Sequence, residues 1–403
     1  MAMIVRIVEI PTEFKEALPI LQKIEAAGYE AYFVGGSVRD TILKRPIHDV
    51  DIATSAYPSE VKELFKKTVD TGIEHGTVMI LDHGTGYEVT TFRTESGYQD
   101  YRRPDKVTFV RSLKEDLKRR DFTINALALS ESGQVFDLFG GLADMQHHII
   151  KAVGDPNERF NEDALRMMRA VRFASQLDFQ IESETLQGIA RHSRLLEKIA
   201  VERCHSEFVK MMLGVAAQNG LNVMLDTGLD RHVPVLGEHE QALKQLANSP
   251  LSLQNEVQVW SLLAFTFGFS RGQISSFLKK WKTANKIIND VILTTELLFA
   301  IKKQQVTNWL LYQTGAANIT NAIDVFGPLP ETQTLMSRYA ELPIKTKKQL
   351  QITGGQLIQQ GVLQPGPELG KILDYLERAV VDGQIPNNFD DLKAAAVNFL
   401  NED

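Results

Sequence analysis

Two patterns of hydrophobic and polar positions divide this chain of 403 residues. Up to about residue 110, short runs rich in β-branched and aromatic residues alternate with glycines and polar clusters, which predicts strands joined by turns. From about residue 158 to the C-terminus, apolar residues recur with the spacing of amphipathic helices. The pattern therefore predicts an α+β fold, in which a mixed β-sheet region is followed by an all-helical remainder.

The predicted strands and turns lie in the first third of the chain. The run EAYFVGG (30–36) ends in two glycines and leads into the helical pattern SVRDTILK, for which Ser37 is a candidate N-cap. DVDIAT (49–54) is the next strand candidate, and 76–93 has the alternation and the glycine-rich turn of a β-hairpin. One more strand is predicted over 105–110.

Composition narrows the class of protein. The chain is 43% hydrophobic and 24% charged, as globular proteins are, and no apolar run approaches the roughly 20 residues that cross a bilayer. The single cysteine, Cys204, excludes an internal disulfide framework. Together with a start that lacks the apolar region of a signal peptide, it predicts a cytoplasmic protein. The net charge of −7 argues against wholesale coating by nucleic acid but allows a local basic surface.

Candidate chemistry begins with Asp49 and Asp51. Alternate residues of a strand project to one face, so these carboxylates can converge on Mg²⁺, which prefers carboxylate and phosphate oxygens. Glu88, in the predicted hairpin, is the best candidate for a third carboxylate at a two-metal site. Alone, the D-x-D pair also fits a solvated strand end, and Glu88 alone also fits a surface strand residue.

A glycine pair lies just before these carboxylates in the chain. Gly36 lets the backbone approach a phosphate closely, the following helix start favours an anion, and Arg39 adds a charge-assisted bond to a triphosphate. A Gly-Gly turn by itself fits an ordinary tight turn. The phosphate-binding turn and the metal-binding carboxylates, both within residues 35–51, together indicate a nucleotidyltransferase site.

Base recognition is predicted in EDALRMMRAVRF (162–173). Asp163 and Arg166 are three residues apart and share one face of the predicted helix. Cytosine and adenine both present an amino donor beside a ring-nitrogen acceptor, so an Asp–Arg pair accepts C and A and rejects U and G. Arg169 and Arg172 continue the spacing and are predicted to contact the triphosphate or the primer end. An ordinary surface salt bridge is the alternative for the first pair.

These motifs resemble those of the polymerase-beta-like nucleotidyltransferase superfamily, in its class II tRNA nucleotidyltransferase branch. The resemblance is carried by GGSVRD with HDVDIAT, LKRRDFTINALAL (117–129), DLFGG (137–141) and RFNEDALRMMRAVRFA (159–174). It implies a Mg²⁺-dependent enzyme that adds C, C and A to the 3′ end of tRNA from CTP and ATP without a template. The alternatives are a poly(A) polymerase or a partial CC- or A-adding enzyme on the same scaffold, and a non-catalytic tRNA-binding protein.

The resemblance also implies an organisation and further contacts. Arg120 is implied as a nucleotide contact, and Asp121 as a residue that orients arginines. The segment 93–107 resembles the family's flexible loop, although a mobile surface loop fits its composition equally. The lysine-rich segment 344–361 is a candidate contact for the tRNA elbow or a solvated lysine face. A homodimer is a further possibility that the sequence does not decide. The implied domains are the catalytic head (1–153), the neck (154–215), the body (216–328) and the tail (329–403).

Overall fold

The computed structural model describes residues 6–99, 101 and 103–402. The chain divides into two compact units, Met1–Leu251 and Ser252–Asp403. The strands in the described ranges all belong to the first unit, and the second unit is helical. The predicted α+β fold class is confirmed, whereas the finer division into head, neck, body and tail stays a prediction.

A seven-stranded mixed sheet forms the centre of the N-terminal part, with the strand order β3-β4-β5-β2-β1-β8-β9. Strands β2 and β5 pair in parallel, and the other neighbours in this sheet are antiparallel. Two small sheets, β6–β7 and β10–β11, complete the strands. The bounds are β1 Ala31–Val34, β2 Asp51–Thr54, β3 Thr68–Gly72, β4 Thr77–Asp82, β5 Thr85–Thr91, β6 Arg93–Gln99, β7 Arg103–Phe109, β8 Leu127–Leu129, β9 Val135–Asp137, β10 Ile149–Ile150 and β11 Gln180–Ile181.

Helices flank this sheet and make up the rest of the chain. The first unit contains α1 Thr12–Ala26, α2 Gly36–Ile42, α3 Pro58–Leu64, α4 Leu113–Lys118, α5 Gly141–Gln146, α6 Pro156–Glu162, α7 Leu165–Leu177, α8 Ser183–His192, α9 Val201–Met212, α10 Ala217–Thr227 and α11 Glu240–Ala247. The second contains α12 Glu256–Thr266, α13 Arg271–Lys280, α14 Asn285–Lys302, α15 Asn308–Phe326, α16 Pro330–Gln333, α17 Leu335–Glu341, α18 Gly354–Gln359, α19 Pro367–Val381 and α20 Phe389–Glu402. No helix in the described ranges is long and apolar enough to cross a membrane.

The central strand β1 is apolar because both of its faces are covered. Phe33 packs against Phe14 of α1, with 4.5 Å between the ring centroids. Its neighbour Val34 belongs to a buried cluster on the other face, together with Ala53 of β2 and Leu117 of α4. Since successive residues of a strand point to opposite faces, a four-residue strand is anchored from both sides. The end of β1, where the glycine pair begins, is thereby held in place.

The hairpin predicted over 76–93 is confirmed. Strands β4 and β5 pair antiparallel with Asp82 opposite Thr85, so His83 and Gly84 form a two-residue turn. Both turn residues have positive φ, 46° and 87°, as a type I′ turn requires. The turn therefore fixes the register of β5 and with it the position of Glu88.

Two local predictions are wrong. Ser37 does not cap α2, because that helix already begins at Gly36, and the Ser37 hydroxyl donates to the Val34 carbonyl instead. The segment 93–107, which resembles a flexible loop, contains β6 and much of β7, and these two strands pair antiparallel; the strand predicted over 105–110 is confirmed as the end of β7. Its polar residues misled the interpretation, since a ribbon outside the main sheet does not need the apolar alternation of a half-buried strand.

Candidate active site

The sheet brings Asp51 beside Glu88. The two residues are partners in the parallel β2–β5 pair, and Asp51 is also the partner of Val34 in the β1–β2 pair. Partners on adjacent strands project to the same side of a sheet. Three distant segments of the chain therefore meet where β1 ends and β2 begins.

Asp49 also lies at this position, but not for the reason that the sequence pattern predicts. Strand β2 begins only at Asp51, so Asp49 precedes the strand and the argument from alternate strand residues does not apply to it. Asp49, Asp51 and Glu88 nevertheless line one cavity of about 490 Å³. The three carboxylates share this cavity, with Asp49 positioned by the segment that leads into the strand. Their convergence on one metal site stays a prediction.

The surroundings of Asp51 favour a cation. The pKa of its carboxyl is raised, first because protein displaces water around it and next because the Glu88 carboxylate is close; Arg120 opposes the rise, and Asp49 adds to it. Among the described residues, no hydrogen bond or salt bridge engages the side chains of Asp49, Asp51 or Glu88. Like charges left together without partners are costly, and a divalent cation between them removes that cost.

The donor set suits a metal that a substrate helps to hold. Within the described ranges, no group of three or more His, Cys, Asp or Glu side chains is placed so that it could hold a metal ion. Mg²⁺ does not need such a group, because it is commonly held by one or two carboxylates, water and the phosphates of a substrate. Asp51 and one neighbouring carboxylate are sufficient protein ligands for a metal that a triphosphate completes.

A second cavity, of about 430 Å³, is also lined by Asp51, and arginines are its most frequent lining residues. It contains every nucleotide-binding residue predicted from the sequence. Asp51 lines both cavities, whereas Asp49 and Glu88 line only the first cavity, of about 490 Å³. The arginine-lined cavity is formed by Gly35, Gly36, Arg39, Asp51, Arg119, Arg120, Asp121, Asn125, Asp163, Arg166, Arg169, Arg172 and Phe173.

Gly35 lets the backbone pass close to this cavity. Its φ of 75° and ψ of −136° belong to a region that residues with a side chain rarely adopt. A Cβ at this position would lie 3.1 Å from an Arg120 terminal nitrogen and 4.0 Å from an Asp51 oxygen. The Arg120 Nε is buried and has no partner among the described residues, which leaves a donor for an anion.

We expect Gly35→Ala to weaken both the fold and the site. The backbone strain lowers the free energy of unfolding by about 1–3 kcal/mol, and displacement of Arg120 lowers the affinity for a nucleoside triphosphate about tenfold, as loss of one charged hydrogen bond does. Gly28→Ala is the matched control, because Gly28 also has positive φ but its Cβ would meet nothing within 4 Å. Equal triphosphate affinities of the two variants in calorimetry would contradict this assignment.

The arginines of the cavity are held by acidic and amide side chains. Arg39 is hydrogen-bonded to Asp40 at 2.9 Å and to Asn125 at 2.7 Å, and Arg169 is paired with Asp121. Burial alone would raise the pKa of Asp121, but Arg169, with help from Asn125 and Arg166, holds that pKa well below its ordinary range. Asp121 is thus paired with Arg169, and its role in orienting arginines stays a prediction.

The Asp163–Arg166 pair is present, but the two residues do not share one helix. Helix α6 ends at Glu162 and α7 begins at Leu165, and Asp163 between them is extended, with φ −138° and ψ 102°. Its carboxylate accepts a hydrogen bond from the Leu165 backbone N–H two residues on, a local contact that Asp makes more readily outside a helix interior. The prediction of a continuous helix is wrong, yet both side chains line the arginine-lined cavity.

Each member of this pair is fixed by a partner. Asp163 forms two hydrogen bonds with Arg203 of α9, at 2.9 and 3.3 Å. Arg166 donates to Glu162 at 2.7 Å and to the Arg119 carbonyl at 3.1 Å. Arg166 is 8% exposed. Buried groups with fixed directions can distinguish one hydrogen-bonding pattern from another.

Sequence reasoning missed several residues of the site. Arg203 and Glu207, which hold Asp163 and Arg172, lie in α9, far from the recognised motifs. No spacing in the sequence indicates that α9 packs beside α7. Asn125 and Phe173 lie inside the recognised motifs. The arginines close to them in the sequence were the one signal that could have indicated their place in the site.

The lysine-rich segment of the second unit is partly neutralised. Lys347 is paired with Asp374 at 2.5 Å and with Glu377 at 3.4 Å, and Lys345 donates to the Ala340 carbonyl at 3.0 Å. Within this segment, helix α18 begins at Gly354 after the cap Thr353. These contacts reduce the charge available to a phosphate backbone, so contact with the tRNA elbow stays a prediction.

The chain is similar to known proteins along its whole length. Family models match it as "Poly A polymerase head domain" over 31–151, as an RNA- and SrmB-binding site of polymerase A over 178–239, and as tRNA nucleotidyltransferase domain 2 over 251–396. It is 56% identical to the CCA-adding enzyme of Limosilactobacillus fermentum, covering 98% of this chain and 99% of that one.

Two further relatives agree with this match. The CCA-adding enzyme of Limosilactobacillus reuteri is 57% identical, covering 95% of this chain and 96% of that one. Among solved structures, the Bacillus stearothermophilus CCA-adding enzyme in complex with CTP has a TM-score of 0.88 and 40% identity, covering 98% of this chain and 99% of that one.

Proposed function

Because the chain belongs to the CCA-adding enzymes, we propose that it adds C, C and A to the 3′ end of tRNA from CTP and ATP without a nucleic-acid template. The observation that carries this proposal is the junction of two cavities at Asp51. One cavity gathers carboxylates, and the other gathers arginines around the Asp163–Arg166 pair. A nucleoside triphosphate bound among the arginines has its phosphates next to the carboxylates.

Asp49 and Asp51, with Glu88 as a third carboxylate, are the residues that would hold Mg²⁺. Bound there, Mg²⁺ supplies stabilisation of the negative charge that develops on the attacking and leaving oxygens. Gly36, Arg39 and Arg120 bind the triphosphate, and Arg169 and Arg172 support it from α7. The 3′ hydroxyl oxygen of the tRNA releases its proton to water and bonds to the α-phosphorus. The bond from that phosphorus to the α,β-bridging oxygen breaks in line, and pyrophosphate leaves with that oxygen.

Asp163 and Arg166 select the base. The Asp163 carboxylate accepts from the exocyclic amino group of cytosine or adenine, and the Arg166 guanidinium donates to the neighbouring ring nitrogen. Uracil and guanine set a carbonyl against the carboxylate and an N–H against the guanidinium. Since Arg203 and Glu162 fix both side chains, the pair cannot rearrange cheaply to suit the wrong base.

Other parts of the proposal concern the whole protein. We place the enzyme in the cytoplasm, where tRNA precursors are matured, and assign the catalytic head, neck, body and tail to the predicted ranges. The lysine-rich segment 344–361 is the proposed contact with the tRNA elbow, through the lysines that its acidic neighbours do not neutralise. A homodimer is one arrangement to test by measuring mass in solution.

Incorporation into a tRNA transcript that lacks its 3′ CCA tests the function directly. With Mg²⁺ and all four nucleoside triphosphates, we expect sequenced product ends to read CCA and to stop there. A transcript that already ends in CCA is the control and gains nothing. A long A tract would identify a poly(A) polymerase, growth by C alone or A alone a partial enzyme, and no growth on either transcript a tRNA-binding protein.

A further inference from the structure

Three guanidinium groups lie over one aromatic ring in the arginine-lined cavity. The guanidinium carbons of Arg172, Arg39 and Arg169 are 4.0, 5.0 and 5.5 Å from the centroid of the Phe173 ring. Phe173 is 4% exposed, and its ring meets that of Phe122 at an interplanar angle of 84°. The ring is therefore fixed on one side by the core and covered by cations at the cavity.

The three arginines come from different places and have different partners. Arg39 belongs to α2 and is held by Asp40 and Asn125. Arg169 and Arg172 belong to α7; Asp121 holds the first, and Glu207 and Gln176 hold the second. These partners bind the edges of the guanidinium planes, where the N–H groups are. The Phe173 ring, 4.0 to 5.5 Å from the three guanidinium carbons, is a further contact that all three share and limits how far each group can move.

The ring also makes the gathering of like charges less costly. Burial lowers the pKa of Arg172, Glu207 raises it, and Arg169 lowers it further. The face of an aromatic ring carries partial negative charge and attracts a guanidinium within about 6 Å, more strongly where water is excluded. A single phenylalanine thus contributes attraction to three cations without occupying the N–H groups that an anion would need.

We propose that Phe173 is a positioning residue, which orients Arg39, Arg169 and Arg172 toward the phosphates of the bound nucleotide. The inference rests on the proposed function, in which this cavity binds a nucleoside triphosphate. It differs from the usual use of an aromatic side chain at such a site, which is to stack on the base. Guanidinium groups already occupy the space over the ring that a stacked base would need.

Calorimetry on the full chain without tRNA separates these two uses of the ring. Inorganic tripolyphosphate carries the phosphates but no base, so it is the probe, and CTP is measured beside it. For Phe173→Leu we expect both affinities to fall by a similar factor, about 10-fold to 30-fold, as loss of several partly buried cation–π contacts predicts. A fall for CTP alone would show a stacking surface and overturn the inference.

Matched variants separate positioning from general damage to the core. Phe179→Leu removes a ring of similar burial, 3% exposed, which contacts His148 and does not line the cavity; it should leave both affinities unchanged. Phe173→Tyr keeps an aromatic ring at this position and should bind tripolyphosphate with an affinity close to that of the wild-type chain. Phe173→Met fills the same space without a ring and is measured in parallel, in case the leucine variant does not fold.

The outcomes distinguish this inference from the function on which it rests. If the wild-type chain binds neither CTP nor tripolyphosphate, the proposed nucleotide site is wrong and the inference fails with it. If the wild-type chain binds both and the leucine and methionine variants bind them equally well, the nucleotide site stands and the positioning by Phe173 is wrong. A parallel loss of both affinities in these variants, with restoration by tyrosine, supports the inference.

Discussion

Replacing Asp51 with alanine is expected to lower the single-turnover rate of CTP and ATP incorporation by at least about a thousandfold, while tRNA affinity stays within about twofold. Loss of roughly 4 kcal/mol of transition-state stabilisation corresponds to such a factor, and charge stabilisation by a bound metal is of that size. Asp51 has this effect because it borders both cavities and is the strand partner of Glu88. Rapid-quench incorporation and filter binding measure the two quantities.

Asp70→Ala is the matched control for this experiment. Asp70 lies in the same sheet, on the edge strand β3, and its half-exposed carboxylate is paired with Lys62 at 3.0 Å, so its loss should leave the rate unchanged. Glu88→Ala, measured alongside, tests whether the third carboxylate is needed. Incorporation by Asp51→Ala at more than a tenth of the wild-type rate would refute the metal assignment.

The second large effect concerns the choice of base. Replacing Asp163 with alanine should reduce the preference for CTP over UTP, measured as a ratio of kcat/KM values, by at least about a hundredfold, because sites that hydrogen-bond a substrate discriminate by factors of this size or more. Without the carboxylate, the uracil carbonyl no longer faces a negative charge. Competition between labelled CTP and UTP on a tRNA transcript measures the ratio.

Variants of the supporting arginine extend this test. Arg203→Ala frees Asp163 from its two hydrogen bonds and should relax the preference in the same direction but by less. Arg194→Ala, which removes an arginine with 84% of its side chain exposed, and Asp226→Ala, on the exposed face of α10, should both leave the preference unchanged. An intact preference in Asp163→Ala would mean that other groups read the base.

Local patterns in the sequence were enough to predict the parts of the site that lie on strands. The turn at His83 and Gly84 requires positive φ at both residues, so its chemistry predicts the hairpin, and the hairpin places Glu88 near Asp51. The arginines at 166, 169 and 172 were predicted from their spacing, and all three line the cavity. Regular spacing within one helix or strand, or across one tight turn, can be read from the sequence without knowledge of tertiary contacts.

Long-range packing was beyond the reach of the same reasoning. Helical periodicity runs through Asp163, so the sequence pattern does not show the break between α6 and α7. In the structure, the Asp163 carboxylate accepts from the Leu165 backbone N–H and binds Arg203. The residues of α9 that hold the site depend on how α9 packs against α7. Side-chain partners of this kind are set by tertiary structure, which a single sequence pattern does not encode.

The parallel pairing of β2 with β5 also has a consequence for the order in which the protein folds. The β4–β5 hairpin needs only a two-residue turn and can form early, whereas β2 must close a long loop to reach β5. We therefore expect Asp51 and Glu88 to become neighbours later than the two strands of the hairpin. We expect the repulsion between their carboxylates to hasten unfolding more than it slows folding, so that a bound cation would act chiefly by prolonging the lifetime of the native state.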